Sequence, residues 1–312
     1  MGVIAERANM TSPSRSKSKK AALRARARFW DRVATGALWT VAVAIAALLV
    51  YIILYLLIKG LNVLSWQFIS QANVQATYDG PEVFNTFYII ILALLICIPV
   101  ALSASIYLIE YARQGRFTTV VRFATETLAG VPSIVIGLFG YLIFVTNFGM
   151  GTRLGFSRLA GALTLVILNL PVLLSVFEDA LRKVPMELRE ASEALGANKL
   201  QTVTRVLIPT AFPSLITGVI LTAGKMMGET AALIYTAGGS SSINGWFSLN
   251  PLTSGDTLTI KLYMLQAEGI TANAPEVAAG TATLLIILLL AFNLGLRGGA
   301  SYINSRISGR TR

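Results

Sequence analysis

Residues 38–58 read "LWTVAVAIAALLVYIILYLLI", an apolar run without a single charge. The hydrocarbon core of a bilayer takes about 20 residues of helix to cross, so this stretch is long and oily enough to span it. Five more such stretches follow: Phe87–Ile109, Thr127–Thr146, Leu159–Phe177, Ala211–Ala237 and Val277–Leu296. A lone strand in lipid leaves its amides and carbonyls unpaired, whereas a helix pairs them internally. The expected fold is therefore all-α and integral to the membrane, with six transmembrane helices. Composition agrees: 54% of the 312 residues are hydrophobic and 13% are charged, about half the charged fraction of a soluble domain.

The net charge of +11 would suit a nucleic-acid binder, but its distribution points to a membrane surface. Nine basic residues, Arg7 to Arg32, precede the first span. Arg113, Arg116 and Arg122 follow the second. Arg182, Lys183, Arg189, Lys199 and Arg205 follow the fourth, and Arg297, Arg306, Arg310 and Arg312 follow the sixth. All of these fall on one side. Only Lys59, Arg153, Arg158 and Lys261 fall on the other, and Lys225 lies within a span. The side rich in Lys and Arg is the cytoplasmic one, so both termini are expected there. Residues 1–37 read as a disordered topology determinant beside anionic lipid, not as a nucleic-acid arm. The remaining segments are a peripheral first helix (38–58), an external loop (59–86), a five-helix core (87–297) and a basic tail (298–312). The core contains a cytoplasmic loop at 178–210 and an external loop at 238–276.

Several chemistries are excluded. There is no histidine, and Cys97 is alone, so no disulfide within the chain and no Cys/His metal site is available. No cofactor is expected, and no nucleophile–base pair lies in the spans. A nucleotide-binding P-loop needs G-x-x-x-x-G-K-[ST]. The Gly224–Lys225 pair is followed by Met226 inside a span. The chain is thus read as a transport subunit, not an enzyme.

The longest cytoplasmic loop holds "ELREASEALG", Glu187–Gly196. Pro185 suits the first turn of a helix. Leu188, Ala191 and Leu195 make a narrow apolar stripe, with Glu187, Arg189, Glu190 and Glu193 around it. Gly196 is placed to end the helix at positive φ. An anionic leaflet repels acids, so a helix this acidic reads as a docking peg for a soluble partner. "ANKLQTVTRVLIP" reads as a second short helix before the fifth span. The spacing Glu190-Ala191-Ser192, three residues, Gly196, nine residues, Val206-Leu207-Ile208-Pro209 resembles the EAA loop of ABC-importer permeases. The resemblance implies a type I, MetI-like permease fold. It also implies that Glu190, Ala191, Ser192, Gly196 and Pro209 belong to a coupling element seated on an ATP-hydrolysing subunit.

"LAGVPSIVIGLFG" (128–140), "LPVLLSVFEDALRKVPMELREASEALGA" (170–197) and "GKMMGETAALIYTA" (224–237) resemble the phosphate-specific permease of PstA type. That likeness implies a bacterial or archaeal cell membrane and inorganic phosphate as substrate. Its implied partners are a second permease of PstC type, a pair of PstB-type ATPase subunits and an external PstS-type phosphate-binding protein. Another oxyanion, such as sulfate, molybdate or phosphonate, is the near alternative. Ser175 and Lys225 stand where the family leads one to expect arginine, and lysine lacks the planar fork that suits phosphate.

Lys225 and Glu229 fall at i, i+4, near mid-span. A charge at the bilayer centre costs about 2.5–3.5 kcal/mol, so such groups face a water-filled path or neutralise one another. An ion-coupled secondary transporter using this pair is the rival class, but no inverted repeat is visible. Ser133 follows Pro132, whose ring frees the carbonyl of Leu128. Either the broken helix offers donors to an oxyanion or Ser133 bonds within its own helix, and Thr230 carries the same two readings. Arg122 is expected to pair with Glu126, and Asn169–Pro171 to mark a kink. Gly130, Gly137 and Gly140 are expected to permit close packing. Residues 74–84 and a surface helix over "TLTIKLYMLQAEG" are expected to be exposed outside.

Overall fold

A computed structural model describes residues 13–70, 79–113, 115–146, 154–239, 247–267, 269 and 273–307, with side chains between Trp30 and Ser301. Among these residues every regular element is a helix. The first, α1 (Pro13–Leu61), is unbroken. Residues 13–37, expected to be disordered, are therefore helical. No glycine occurs between Pro13 and Gly36, and the Ala, Arg, Lys and Leu that fill the segment are strong helix formers. In the apolar window of Trp30–Leu61 no residue is buried, as suits a helix coated by lipid.

From Leu56 onward the chain forms a separate compact unit. It begins with α2 (Trp66–Ser70) and α3 (Gly80–Ile106), which runs into a π-helical turn at Tyr107–Tyr111. Next come α4 (Arg116–Ala129) and α5 (Ser133–Gly140), the latter ending in a π turn at Tyr141–Val145. Then follow α6 (Arg158–Arg182), α7 (Met186–Ala194) and α8 (Lys199–Thr202). A third π turn, Val203–Leu207, leads into α9 (Ile208–Met227). The series closes with α10 (Ala231–Ile234), α11 (Leu258–Ala267) and α12 (Ala274–Ile307). Among the described residues five helices are long and apolar enough to cross a membrane, or six when α4 and α5, bent by 102°, are counted together as one broken span.

The core is built on α6, whose apolar window is 61% buried, more than that of any other span. It packs against α3, α4, α5 and α9. Leu165, Leu173 and Phe177 of α6 meet Ile89 and Cys97 of α3 and Met226 of α9 in one cluster. Lipid tails are as apolar as leucine, so close packing rather than escape from water holds such helices together. Small residues provide that closeness. A Cβ on Gly137 would lie 2.8 Å from the Cα of Ala232, one on Gly140 would lie 2.3 Å from Thr164 Oγ1, and one on Gly161 would lie 2.9 Å from Ala237 Cβ. α5 thus approaches α10 backbone to backbone at Gly137, and packs closely on α6 at Gly140. Gly130, by contrast, meets nothing within 3.4 Å and simply ends α4.

The third span bends by 102° at Pro132, where the sequence led to a broken or kinked helix. Pro132 lacks an amide and disfavours helix at Val131, so the chain turns there, and the Leu128 carbonyl accepts from the Val131 amide at 3.2 Å. The fifth span is not Ala211–Ala237: the chain is helical from Lys199 and stops at Met227. The predicted second short helix is therefore the beginning of that span. Pro209 cannot donate to a carbonyl one turn back, and just ahead of it the ladder widens, with the Ile208 amide bonding Val203. Asn169–Pro171 lies inside one continuous helix.

Candidate functional site

The predicted docking helix is α7. No residue of it is buried. Glu187, Glu190, Ala191, Glu193 and Gly196 are exposed, as are Leu188 at 42% and Leu195 at 89%, so its apolar stripe is largely open. The helix stops at Gly196, where φ is +84°. The Gly196 amide bonds the Glu193 carbonyl at 2.9 Å and the Ala197 amide bonds the Ser192 carbonyl at 3.2 Å, the paired bonds of a Schellman stop. Immediately after it, Asn198 and Gln201 cap α8 reciprocally. Ser192 is half-buried, and its hydroxyl lies 2.9 Å from that of Thr202. Pro209 is exposed in the first turn of α9.

The four predicted path residues do not share one helix face. Lys225 lies in the last turn of α9, where a cation is favoured by the helix dipole. Gly228 caps that helix, so Glu229 falls beyond it, and no ion pair joins Lys225 to Glu229 among the described residues. Instead a Glu229 carboxylate oxygen accepts from the Ala232 amide at 3.4 Å, and the Glu229 carbonyl accepts from the Thr259 hydroxyl at 3.1 Å. Lys225 is exposed; Glu229 and Thr230 are half-buried. Thr230 opens α10 and lines a cleft of about 530 Å³ together with Gly228, Thr259, Tyr263 and Gln266. Ser133 is the first residue of α5, the helix against which α10 packs at Gly137. The fold thus brings the Ser133 and Thr230 segments to neighbouring short helices and leaves Lys225 on α9, the helix before α10.

Sequence reading missed the most buried charges. Lys261, assigned to an external surface helix, is 1% exposed, and its ammonium lies 2.8 Å from Asp79 and 3.2 Å from Glu82. Thr281 of α12 also donates to Asp79, at 3.2 Å. Residues 79–82 are therefore buried rather than exposed, and residues 74–78 lie outside the described ones. Among the described residues the second oxygens of Asp79 and Glu82 have no hydrogen-bond partner. Burial pushes the Asp79 carboxyl above its ordinary range, although Lys261 and Thr281 pull it down. Burial also works to lower the Lys261 ammonium, but attraction from Glu82 and Asp79 outweighs it and the net shift is upward.

Arg158, counted with the external loops, is likewise buried. It donates to the Ser248 carbonyl and lies 5.4 Å from the Phe84 ring centre and 5.5 Å from that of Tyr88. Arg122 pairs not with Glu126 but with Glu178, at 3.4 Å, which also takes Arg182 at 2.7 Å. The available signal was an isolated charge at the edge of an apolar run, at Glu82 and at Arg158. Among the described residues no three His, Cys, Asp or Glu side chains converge as metal ligands.

A bundle of membrane-crossing helices with a bent third span and an exposed acidic helix between the fourth and fifth is the architecture of a transport permease. Residues 101–309 match the family described as binding-protein-dependent transport system inner membrane component, and the chain belongs to that family. The probable ABC transporter permease protein YqgI of Bacillus subtilis is 38% identical over 290 residues, 89% of this chain and 97% of that protein. The phosphate transport system permease protein PstA of Haemophilus influenzae is 31% identical over 252 residues, 80% of this chain and 86% of that protein. PstA 1 of Mycobacterium tuberculosis is 41% identical, over about half of each chain, 49% and 48%. A bacterial alginate ABC transporter superposes with a TM-score of 0.62 at 14% identity, over 85% of this chain and 95% of that one. An inward-facing MetNI methionine ABC transporter gives 0.50 at 22%, over 83% and 97%. The fold is that of a type I ABC-importer permease. The chain is its multi-pass membrane subunit, and ATP hydrolysis and substrate capture belong to partner proteins.

Proposed function

We propose that this permease carries inorganic phosphate into the cell, with both termini in the cytoplasm. In this reading it forms a heterodimer with a PstC-type permease, is driven by a PstB-type ATPase pair and is supplied by a PstS-type binding protein. The observation that carries the reading is the likeness to the Haemophilus PstA across 86% of that protein's length. The one-sided distribution of Lys and Arg supports the orientation.

The coupling element is α7 and its turn. Glu190, Ala191, Ser192 and Gly196 seat on the ATPase, and Pro209 marks where the stroke enters α9. What supports this is a rigidly stopped helix that shows both its acids and its leucines to the outside. Lys225, Ser133, Glu229 and Thr230 contribute to the path. An exposed ammonium attracts an oxyanion, and a carboxylate on the adjoining segment keeps binding weak enough to release it. Ser175, where an arginine is absent, leaves the remaining positive charge to the second permease.

The test is uptake by cells in which this chain is the only permease of its type. Phosphate entry that stops on ATP depletion supports the reading. Entry of sulfate, molybdate or a phosphonate without phosphate overturns the substrate, and transport that survives ATP depletion but stops when the proton gradient is collapsed overturns the mechanism.

A further inference from the structure

α7 buries no residue, yet a helix that passes force must be fastened to what it moves. Its fastenings are polar and few. The Arg189 guanidinium lies 2.7 Å from the Glu110 carboxylate, with the two side chains only 14% and 15% exposed. The other terminal nitrogen of Arg189 donates to the Leu181 carbonyl at the end of α6, at 2.9 Å. Lys199, just past α7, donates to the Glu110 carbonyl at 3.3 Å. Glu110 sits in the π turn that ends α3, and on the other side Ser192 contacts Thr202, the residue just before the π turn Val203–Leu207 of the fifth span. A π turn is a local departure from the regular ladder that recurs at functional positions. The docking helix is therefore tied, through Arg189 and Ser192, to or beside places where a membrane helix is wound differently from the rest.

We propose that Arg189 is a positioning residue for transport, and that through Glu110 it makes α3 a second driven helix beside α9. The proposal rests on the reading of α7 as the ATPase-docking element. Motion of α7 reaches α9 along the chain, and it reaches the end of α3 across space, from the helix itself through this pair and just past it through Lys199. Because α3 packs along α6, the most buried span, displacement at Glu110 shifts the core rather than a peripheral helix. A partly buried ion pair is suited to this, since salt screens it little and it resists separation.

The experiment uses the complete transporter, with its second permease, ATPase and binding protein, in proteoliposomes. Glu110→Gln and Arg189→Gln are each compared with wild type for ATPase co-purification, ATP hydrolysis and substrate moved per ATP. Both variants are expected to retain the ATPase and hydrolyse ATP, with substrate moved per ATP reduced about three- to tenfold. The exchanged pair, Glu110→Arg with Arg189→Glu, is expected to recover part of that loss. Unchanged stoichiometry in the single variants overturns the proposal. So does an exchanged pair no better than the sum of its single changes. Failure of the docking reading itself looks different: wild-type α7 would then form no cross-link to the ATPase.

Discussion

Two parts of this chain concentrate charge, and they handle it in opposite ways. On α7 the carboxylates of Glu187, Glu190 and Glu193 point outward and no residue is buried. Where α3 begins, Asp79 and Glu82 are closed in with Lys261, all but sealed from solvent. A fully buried ion is costly unless its partner is held in place, so the second cluster is a fastening between α3, α11 and, through Thr281, α12. Displayed charge costs little to keep and is free to meet a partner. The same residue types therefore mark docking in one place and internal closure in the other. Burial, not composition, separates the two.

The largest effect expected from this contrast is at Lys261. Lys261→Met strands two buried carboxylates and should cost about 3–5 kcal/mol, read as a lowered thermal midpoint of the purified protein and loss from the membrane. Because the Asp79 pKa is raised in the fold, the folded state binds a proton more readily than the unfolded one. Its contribution is most favourable at low pH and declines as pH rises through the carboxylate range. Acidifying Lys261→Met from about pH 7.5 to about pH 5 should therefore restore part of its stability. A variant that melts like wild type, or that weakens further on acidification, would remove the fastening role. The raised Lys261 pKa has the complementary sense: its contribution is complete below the ordinary lysine value of about 10.4 and is lost only above it.

Glu190→Arg should act on the other side of the comparison. It is expected to weaken ATPase co-purification about a hundredfold while the thermal midpoint of the permease stays unchanged; retention of the ATPase with normal transport would remove α7 from docking. Lys225→Met should slow uptake about tenfold, again without loss of protein from the membrane. Normal uptake would return Lys225 to the dipole of α9 alone. The smallest effect belongs to Gly196→Ala. A Cβ there meets nothing within 4 Å, so the cost is the positive φ alone, about 1 kcal/mol. Faster hydrogen exchange confined to residues 192–198 is the expected reading, and exchange that spreads into α6 or α9 would contradict it.

Much of α7 was legible in the sequence because helix ends obey local rules. Gly196 could be assigned a positive φ from its place after an amphipathic run. The Lys225–Glu229 pair was misjudged because a single residue, Gly228, ends α9 between them. Local spacing is informative only while the helix continues. Arg122 met Glu178 rather than Glu126 for a related reason: a neighbour on another helix was closer than the one a turn away.

What the amino-acid sequence determined by itself was whatever a bilayer or a single turn can impose. Apolar runs of spanning length had to become helices, since lipid offers no partner to an open backbone, and Pro132 had to interrupt the third. Only the tertiary structure decided that Lys261 meets Asp79, that Arg189 meets Glu110 and that α10 lies on Gly137. Each of these joins residues far apart along the chain, and their proximity depends on how whole helices pack. No local preference encodes that packing. Complementary shape and charge across the assembled bundle select it.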